Sequence, residues 1–127
     1  MKESVFYICS HCGNIIEKVE DHGVPVVCCG QKMNKLVPGV VEASHEKHVP
    51  VIERKANAVT VTVGSVEHPM SEEHSILWVS LTTNRGVQRV YLNPGEAPSV
   101  RFSLVDGEEP IEVFAYCNLH GLWKTDI

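Results

Sequence analysis

Four cysteines near the start of the chain have the types and spacing of a metal site. Cys9 and Cys12 form a C-x2-C pair, and Cys28 and Cys29 follow after fifteen intervening residues. A C-x2-C turn directs two thiolates to one ion and leaves backbone N–H groups free to bond the sulfurs. Adjacent side chains of an extended chain point to opposite sides, so Cys28 and Cys29 can share an ion only if the backbone bends sharply. Gly30 supplies permissive dihedral angles next to that bend.

Two kinds of ion suit this first site. Four thiolates bind either iron or zinc, and the spacing alone does not separate a one-electron iron centre from a structural zinc site. A zinc ribbon usually has two C-x2-C pairs, whereas this sequence has one such pair and one adjacent pair. Clustered cysteines in a reducing compartment bind metal more often than they form disulfides. His11, inside the C-x2-C turn, is interpreted as a solvated loop residue.

The fifth cysteine has a histidine three residues after it. Cys117 and His120 lie in "YCNLHGLW", and a C-x2-H turn is a compact chelate because two ligands close in sequence need little extra ordering. This turn is predicted to leave a strand, where a rigid scaffold commonly holds ligands. Further candidate ligands lie in two short stretches: His45 and His48 in "HEKHVP", and His68 and His74 in "EHPMSEEHS".

Less specific interpretations compete with a second metal site. Any single histidine is more often a surface residue, and we predict this for His22 and His45. Cys117 could equally be a buried core thiol. A blue-copper site needs two histidines, one cysteine and a weak axial methionine, but no methionine follows Cys117 and the histidines are too many. Three classes therefore remain: a metalloenzyme, a copper electron carrier and a non-catalytic protein with structural zinc.

The elements that must position these residues are strands. Alternation of apolar and polar residues predicts them in four stretches, and turn signals such as Asn93-Pro94-Gly95 separate the stretches. Short strands at regular spacing favour a β-sandwich or barrel, and no convincing amphipathic helix is present. Within each stretch, the residues predicted to share one face are Val59, Val61 and Val63; Leu77, Val79 and Leu81; Val100, Phe102 and Leu104; and Ile111, Val113, Ala115 and Cys117.

The first 37 residues form a separate region. They contain three predicted short strands, "VFYI", "NIIEKV" and "VPVV", and are too few to bury a core without a staple such as a metal. Pro38-Gly39 is a turn or linker signal. We therefore predict an all-β chain with a metal-stapled domain at 1–37, a linker at 38–40 and a larger domain at 41–127.

Composition excludes several partners. Hydrophobic residues make up 43% and charged residues 21% of the 127 residues, and the formal net charge is −5. No basic run is present, so nucleic acid is not expected as a partner. No apolar stretch approaches the roughly 20 residues of a membrane helix, and "MKESVFYICS" lacks the apolar region of a signal peptide. We expect a cytoplasmic protein with no membrane partner.

Six stretches together resemble one family. "YICSHCGNII", "VVCCGQKM", "EKHVPVIE", "EHPM", "EHSI" and "YCNLHGLWK" are similar, in order along essentially the whole chain, to desulfoferrodoxins, the two-iron superoxide reductases. The resemblance implies a desulforedoxin-like first domain, an immunoglobulin-like β-sandwich as the second, and a homodimer. It implies two irons: the first bound by Cys9, Cys12, Cys28 and Cys29, and the second by His48, His68, His74, His120 and, axially, Cys117.

The resemblance also implies an activity. Superoxide would be reduced by one electron to hydrogen peroxide at a ferrous iron whose axial position opposite Cys117 is open, and a rubredoxin-like donor would re-reduce the iron. Four neutral imidazoles and one thiolate leave ferrous iron with net charge +1, which is a local attraction for an anion on an acidic protein. The Cys117 thiolate would push electron density towards the iron. Lys47 would attract superoxide and order a proton-donating water, and Glu46 would ligate the ferric iron, although both could be ordinary solvated charges.

Overall fold

The computed structural model describes residues 2–127, which divide into two compact units, Lys2–Val37 and Pro38–Ile127. Nearly all regular structure in both units is β-strand, and the single helix, α1 (His45–His48), is one turn long. The predicted all-β class is confirmed. None of the described residues belongs to a helix long and apolar enough to cross a bilayer.

The first unit contains small sheets and few buried apolar side chains. A three-stranded antiparallel sheet has the order β2-β1-β5, and β3 and β4 form a separate hairpin. Phe6, Cys9 and Met33 are its buried apolar residues. The strands are β1 (Phe6–Ile8), β2 (Ile15–Glu17), β3 (Val27–Cys28), β4 (Gln31–Lys32) and β5 (Asn34–Lys35).

The sequence predicted the strands of this unit only in part. The predicted strand "VPVV" is wrong, because residues 24–26 are irregular and β3 begins at Val27. Two-residue strands such as β4 and β5 have no alternation to detect, and their side chains are exposed. A unit this small buries little apolar surface, so its strands show little alternation of apolar and polar residues in the sequence.

The second unit is a sandwich of seven strands in two antiparallel sheets. One sheet has the order β10-β7-β6 and the other β12-β11-β8-β9. Buried residues from both sheets form one hydrophobic cluster, as in an immunoglobulin-like sandwich. The strands are β6 (Pro50–Lys55), β7 (Ala58–Val63), β8 (Ile76–Thr83), β9 (Val87–Tyr91), β10 (Ser99–Ser103), β11 (Pro110–Cys117) and β12 (Gly121–Asp126).

The predicted alternation is confirmed in β7 and β10. Val59, Val61 and Val63 are fully buried, and Val100 and Phe102 are buried on the facing residues of the neighbouring strand. Thr60 and Thr62 lie between them and are only half-buried. This period-two pattern gives the sheet one apolar face.

Two residues predicted to share a face with neighbours that are buried are not buried themselves. Leu77 is 38% exposed and Ile111 only half-buried, although Val79, Leu81, Val113 and others of their parity are buried. The β8–β11 register slips at both places, so that Cys117 pairs with Ile76 and the ladder omits Leu77 and Ile111. A β-bulge breaks the strict alternation of side chains, and sequence periodicity does not report it.

Candidate metal centres

The four cysteine side chains of the first unit come together. The sulfurs of Cys9, Cys12, Cys28 and Cys29 all lie within 4.8 Å of one another, and none forms a disulfide. The Sγ atoms of Cys12 and Cys28 are 3.6 Å apart, and those of Cys28 and Cys29 are 4.0 Å apart. Four thiolates on a tetrahedron with metal–sulfur bonds of about 2.3 Å would be separated by about 3.8 Å. The spacing therefore fits one tetrahedral ion.

The backbone bends at the adjacent pair as the sequence requires. Cys29 has φ of +52° and Gly30 has φ of +72°, and positive φ is uncommon for a residue with a Cβ atom. The left-handed conformation of Cys29 itself, followed by Gly30, turns the chain so that two neighbouring thiols reach the same point. Such backbone strain is typical of a functional site.

Backbone amides stabilise negative charge on the sulfurs. The N–H of Cys12 donates to Cys9 Sγ at 3.5 Å, and the N–H of Asn14 donates to Cys12 Sγ at 3.5 Å. The hydrogen bond from Cys12 N–H is the main reason that the pKa of Cys9 falls to about 6. A thiolate, not a thiol, is the metal ligand, so these amides prepare the site for a cation.

The second cluster lies at one end of the sandwich. Antiparallel pairing places the start of β6 beside the end of β7, through Pro50 and Val63, and the end of β11 beside the start of β12, through Cys117 and Gly121. Segments far apart in sequence therefore deliver side chains to the same end. His48 ends α1, His68 follows β7, His74 precedes β8, Cys117 ends β11 and His120 lies in the turn before β12.

Proline explains how His48 reaches this place. Val49, between His48 and Pro50, has φ of −69° and ψ of 120°, because a residue before proline is driven from helical to extended backbone. The helix therefore stops after one turn and the chain enters β6 directly. His48 is 2% exposed, at the point where helix and strand meet.

The four histidine rings form a closed ring of neighbours. Successive centroids are 4.6 Å (His48–His68), 4.6 Å (His68–His74), 5.1 Å (His74–His120) and 4.9 Å (His120–His48), with interplanar angles of 78–84°. His48 and His74 lie across this ring, with centroids 6.3 Å apart. Each ring is therefore nearly perpendicular to its two neighbours, and the four rings surround a common centre.

The nitrogen atoms that face this centre need a cation. Nδ1 of His48 lies 2.6 Å from Ser44 O, and Nδ1 of His68 lies 2.6 Å from Pro69 O. Each Nδ1 therefore donates to a carbonyl, so each Nε2 carries a lone pair. These two Nε2 atoms face each other at 3.1 Å. Two lone pairs repel at that distance, whereas two ligands at right angles on a metal, with bonds of about 2.1 Å, lie about 3.0 Å apart.

Two further histidines complete the cluster. Nδ1 of His120 is 3.1 Å from His48 Nε2, and Nε2 of His74 is buried without a hydrogen-bond partner. A buried polar atom without a partner is costly unless an ion satisfies it. The donor atoms of His48, His74, His120 and Cys117 all lie within 4.8 Å of one another, and His68 adjoins this set through its contact with His48.

Burial favours the neutral form of three imidazoles of the cluster. Burial is the main cause that lowers the pKa of His48, His74 and His68, and for His68 the pKa falls to about 4. Neutral imidazole is the form that ligates a metal. A metal cation could therefore bind here near neutral pH without first displacing protons from these three rings.

Cys117 places one sulfur in the cluster. Its side chain is fully buried, and its Sγ is 3.9 Å from His120 Nδ1. Burial raises the pKa of the Cys117 thiol, while hydrogen bonds from the N–H groups of Leu119 and His120 oppose the rise. The turn that supplies His120 thus also supplies amide donors to the sulfur, and a metal cation would complete the stabilisation of the thiolate.

The two charged residues before His48 are both exposed but differ in their relation to the imidazole cluster. Lys47 is exposed. Burial is the main cause of the lowered pKa of His48 and His74, and the positive charge of Lys47 adds a smaller contribution to both. Its ammonium group therefore acts on the cluster. Glu46 is also exposed, and its carboxylate is not among the mutually close donor groups. His11, His22 and His45 are exposed as predicted.

Several residues that sequence reasoning missed hold the cluster in place. Trp123 is 1% exposed, its ring lies 4.9 Å from that of His48, and its Nε1 donates to His120 O at 3.1 Å. The side chain of Asn118 donates to Glu73 O at 2.8 Å and accepts from Ser75 N at 3.0 Å. Asn118 therefore ties the Cys117 turn to the segment that carries His74. Asn118 and Trp123 lie inside the quoted "YCNLHGLW", but nothing in their types indicated these contacts.

The fold and both clusters define a class of metalloprotein: an all-β chain with one site of four cysteines and a second site of four histidines and one cysteine. The family model described as "Desulfoferrodoxin, N-terminal domain" matches residues 2–36, and the model described as "Desulfoferrodoxin" matches residues 40–126. The chain belongs to the desulfoferrodoxin family, and its two clusters fit the two iron centres of that family.

Individual proteins agree with this assignment. The chain is 47% identical over 120 residues to a desulfoferrodoxin of Syntrophotalea carbinolica, with 94% of each chain covered. Among solved structures, it matches the superoxide reductase from Treponema pallidum with a TM-score of 0.83 and 36% identity, covering 98% of this chain and 100% of that one. It also matches the one-iron superoxide reductase from Giardia intestinalis with a TM-score of 0.56 and 33% identity, covering 65% of this chain and 97% of that one.

Proposed function

We propose that this protein is a superoxide reductase, an oxidoreductase that converts superoxide to hydrogen peroxide with one electron and two protons. The observation that carries the proposal is the ring of four imidazoles with one buried thiol at the end of the sandwich. Structural relatives with this fold are superoxide reductases. The ligands would be Cys9, Cys12, Cys28 and Cys29 for the first iron, and His48, His68, His74, His120 and Cys117 for the second.

Each part of the second cluster has a separate role. The iron, when bound, supplies a ferrous–ferric couple that gives superoxide its single electron. Carbonyl acceptors fix His48 and His68 as neutral rings with Nε2 directed inward, so a ferrous centre would keep a positive net charge. The Cys117 sulfur is the electron-rich donor of the set. Burial of the cluster strengthens electrostatic attraction to an anion because little water screens it.

Lys47 is proposed as the residue that attracts superoxide. The protein carries a formal net charge of −5, which repels an anion at long range. The ammonium of Lys47 acts on His48 and His74, so it adds positive charge where the substrate must arrive. A lysine about 4–6 Å from the anion would contribute on the order of 1–4 kcal/mol, and its ammonium could also order a proton-donating water.

Glu46 is proposed to ligate the ferric iron after hydrogen peroxide has left. The support is its position two residues before His48 on the same helical turn. Its exposed carboxylate is free to rotate, and a carboxylate is a suitable ligand for ferric iron.

The donor set disfavours both alternative functions. A structural zinc site normally has four ligands on a tetrahedron, whereas five donors gather here. A blue-copper site uses two histidines and one cysteine, and four imidazole rings surround this centre. Neither a structural zinc module nor a copper electron carrier uses the whole set.

The remaining parts of the proposal concern the setting in which the enzyme works. We propose that a small rubredoxin-like protein supplies the electron, that the four-cysteine iron stores or relays it, and that the protein is a cytoplasmic homodimer. We also propose domains at 1–37 and 41–127 joined by a linker at 38–40, which the two compact units and the two matched family regions support. A measured mass of one chain in solution would contradict the dimer.

One experiment separates this function from dismutation. The iron-loaded protein, mixed with superoxide and excess reduced rubredoxin, should oxidise one rubredoxin for each superoxide consumed and release no stoichiometric dioxygen. A dismutase would evolve dioxygen and need no donor. Metal analysis with a visible spectrum checks the starting material: the two ferric centres absorb at different wavelengths, copper–thiolate gives an intense blue band and zinc is colourless. Stoichiometric dioxygen release would refute the reductase assignment.

A further inference from the structure

The turn after β7 touches the backbone that carries Glu46 and Lys47. Gly64 has φ of +86°, and a Cβ atom built there would lie 2.7 Å from Glu46 O, 2.7 Å from the carbonyl carbon of Lys47, and still closer to Val66 O. All three neighbours are main-chain atoms, so no side-chain rotation could relieve the overlap. The other eight glycines have either open space or an ordinary contact at this position. Gly64 is therefore needed for close approach as well as for its dihedral angle.

Hydrogen bonds hold the same two segments together. The carbonyl oxygen of Glu46 accepts from Val66 N–H at 2.9 Å and from Ser65 Oγ at 3.3 Å. At the end of the same turn, His68 N–H donates to Val63 O at 3.1 Å. One short turn thus holds the Glu46–Lys47 peptide and also begins the segment that delivers His68 to the cluster.

We propose that Gly64 is a positioning residue for the reaction, acting with Ser65 and Val66 as a backbone clamp on the Glu46–Lys47 peptide. The clamp sets the place from which the ammonium of Lys47 acts on the imidazole cluster. This inference rests on the proposed function for its kinetic consequences, whereas the clamp itself is a structural statement that can be tested separately.

The kinetic test compares two glycine variants. Gly64→Ala and Gly107→Ala place the same side chain at nearly the same φ, since Gly107 has φ of +83° but nothing within 4 Å of its built Cβ atom. Both variants carry the dihedral strain, and only Gly64→Ala displaces the clamp. We expect the second-order rate with superoxide to fall by about threefold to tenfold in Gly64→Ala, no further than in Lys47→Ala, with iron content unchanged, and to stay normal in Gly107→Ala. Equal rates in the two variants would overturn the proposal.

A double variant shows whether Gly64 acts through Lys47. If it does, adding Gly64→Ala to Lys47→Ala should lower the rate by less than twofold, because the group that it displaces is already absent. The salt dependence of the rate should also weaken in Gly64→Ala alone. If the rate of the double variant falls by the product of the losses in the two single variants, Gly64 acts by another route. The positioning role through Lys47 would then be discarded.

Amide exchange tests the clamp without any assay of superoxide. In the wild-type iron-loaded protein, the Val66 amide should exchange at least about a hundredfold more slowly than an open-loop amide, as resolved by mass spectrometry with fragmentation. Ser65→Ala should accelerate this exchange modestly. Unprotected exchange of Val66 in the wild type would overturn the clamp, even if Gly64→Ala fails to fold. Absence of superoxide reduction by the wild type would refute the proposed function instead, leaving the clamp to be judged by exchange.

Discussion

Cys117 is the single sulfur donor of the second cluster, and its chemistry depends on a buried position beside three imidazole rings of the cluster. Its side chain is fully buried, and N–H groups of Leu119 and His120 bond the sulfur. A serine at this position would fill nearly the same space but would supply a harder and less electron-donating oxygen. A serine variant at this position therefore tests whether the sulfur is needed for reactivity when the metal is still bound.

We predict that Cys117→Ser lowers the rate of superoxide reduction by at least about a hundredfold, or about 2.7 kcal/mol of activation free energy. The variant should lose the visible absorption band that arises from thiolate bound to ferric iron. Pulse radiolysis of a sample with confirmed iron content measures the rate. Normal turnover in such an iron-loaded variant would contradict the role of the sulfur.

Lys47 supplies charge, so its removal should act mainly on substrate encounter. We predict that Lys47→Ala lowers the second-order rate constant with superoxide by about tenfold and makes the remaining rate less sensitive to salt. Stopped-flow or pulse-radiolysis measurements between low and high ionic strength test this. Lys55→Ala, an equal charge change at the exposed end of β6, is the control and should leave the rate nearly unchanged. An unaltered, salt-dependent rate in Lys47→Ala would remove the steering role.

At the scale of elements, a buried carboxylate joins the turn between β8 and β9 to the loop after β10. Glu108 is 8% exposed and accepts from Thr83 Oγ at 2.7 Å and from Val105 N–H at 3.1 Å. The Thr83 hydroxyl in turn accepts from Arg85 N–H and Gly86 N–H. The hydrogen bond from Thr83, followed by that from Val105, lowers the pKa of Glu108.

This lowered pKa implies a pH-dependent stability with a definite sign. The folded chain binds the Glu108 proton less tightly than the unfolded chain, so ionised Glu108 stabilises the fold above the ordinary carboxyl pKa of about 4.3. The contribution is lost as pH falls through the lower, folded-state pKa. We predict that Glu108→Gln reduces the free energy of unfolding by about 1–2 kcal/mol at neutral pH, and that the difference from wild type shrinks in acid.

Denaturant unfolding at several pH values measures this effect. Glu109→Gln is a matched neighbour, because Glu109 pairs with Arg54 on the surface at 2.8 Å and an exposed ion pair contributes little to stability. A Glu108→Gln variant as stable as wild type at neutral pH, or one whose deficit grows in acid, would show that the charge of Glu108 is not what joins the two loops.

At the scale of the whole molecule, the two compact units depend differently on metal. Residues 2–37 bury only three apolar side chains, Phe6, Cys9 and Met33, and so few cannot offset the entropy of ordering the segment. The sandwich has a continuous apolar cluster of its own. Metal binding is therefore expected to supply the folding free energy of the first unit, whereas the second unit should keep its strands without metal.

We predict that Cys12→Ser lowers the iron content from two ions to one per chain and makes residues 2–37 sensitive to proteolysis. Both tryptophans, Trp78 and Trp123, lie in the second unit, so the unfolding midpoint followed by their fluorescence should stay within a few degrees of wild type. His11→Ala, in the same C-x2-C turn, changes an exposed side chain and should retain both irons. A protease-resistant first unit in iron-depleted Cys12→Ser would refute its dependence on metal.

The amino-acid sequence by itself was sufficient for features encoded over a few residues. The C-x2-C and C-x2-H spacings specify chelates within one turn, and the alternation of Val59, Val61 and Val63 specifies a strand with one buried face. The all-β class and the family follow from such local patterns, because each depends on neighbours along the chain. Strands β6, β9 and β12 were missed because their apolar residues do not alternate with polar ones. The plainly apolar residues are adjacent in β6 (Val51 and Ile52) and in β12 (Leu122 and Trp123), and in β9 they are Val87, Val90 and Tyr91.

Only the tertiary structure decided which distant residues meet and at what distance. The antiparallel register brings His48, His68 and Cys117 to one end of the sandwich, and no local spacing contains that register. The same holds for Gly64, whose need for an absent side chain arises in part from the backbone of Glu46 and Lys47, which lie eighteen and seventeen residues earlier in the chain. Close packing between separate segments is a property of the folded chain, so its constraints become visible only when the segments are in contact.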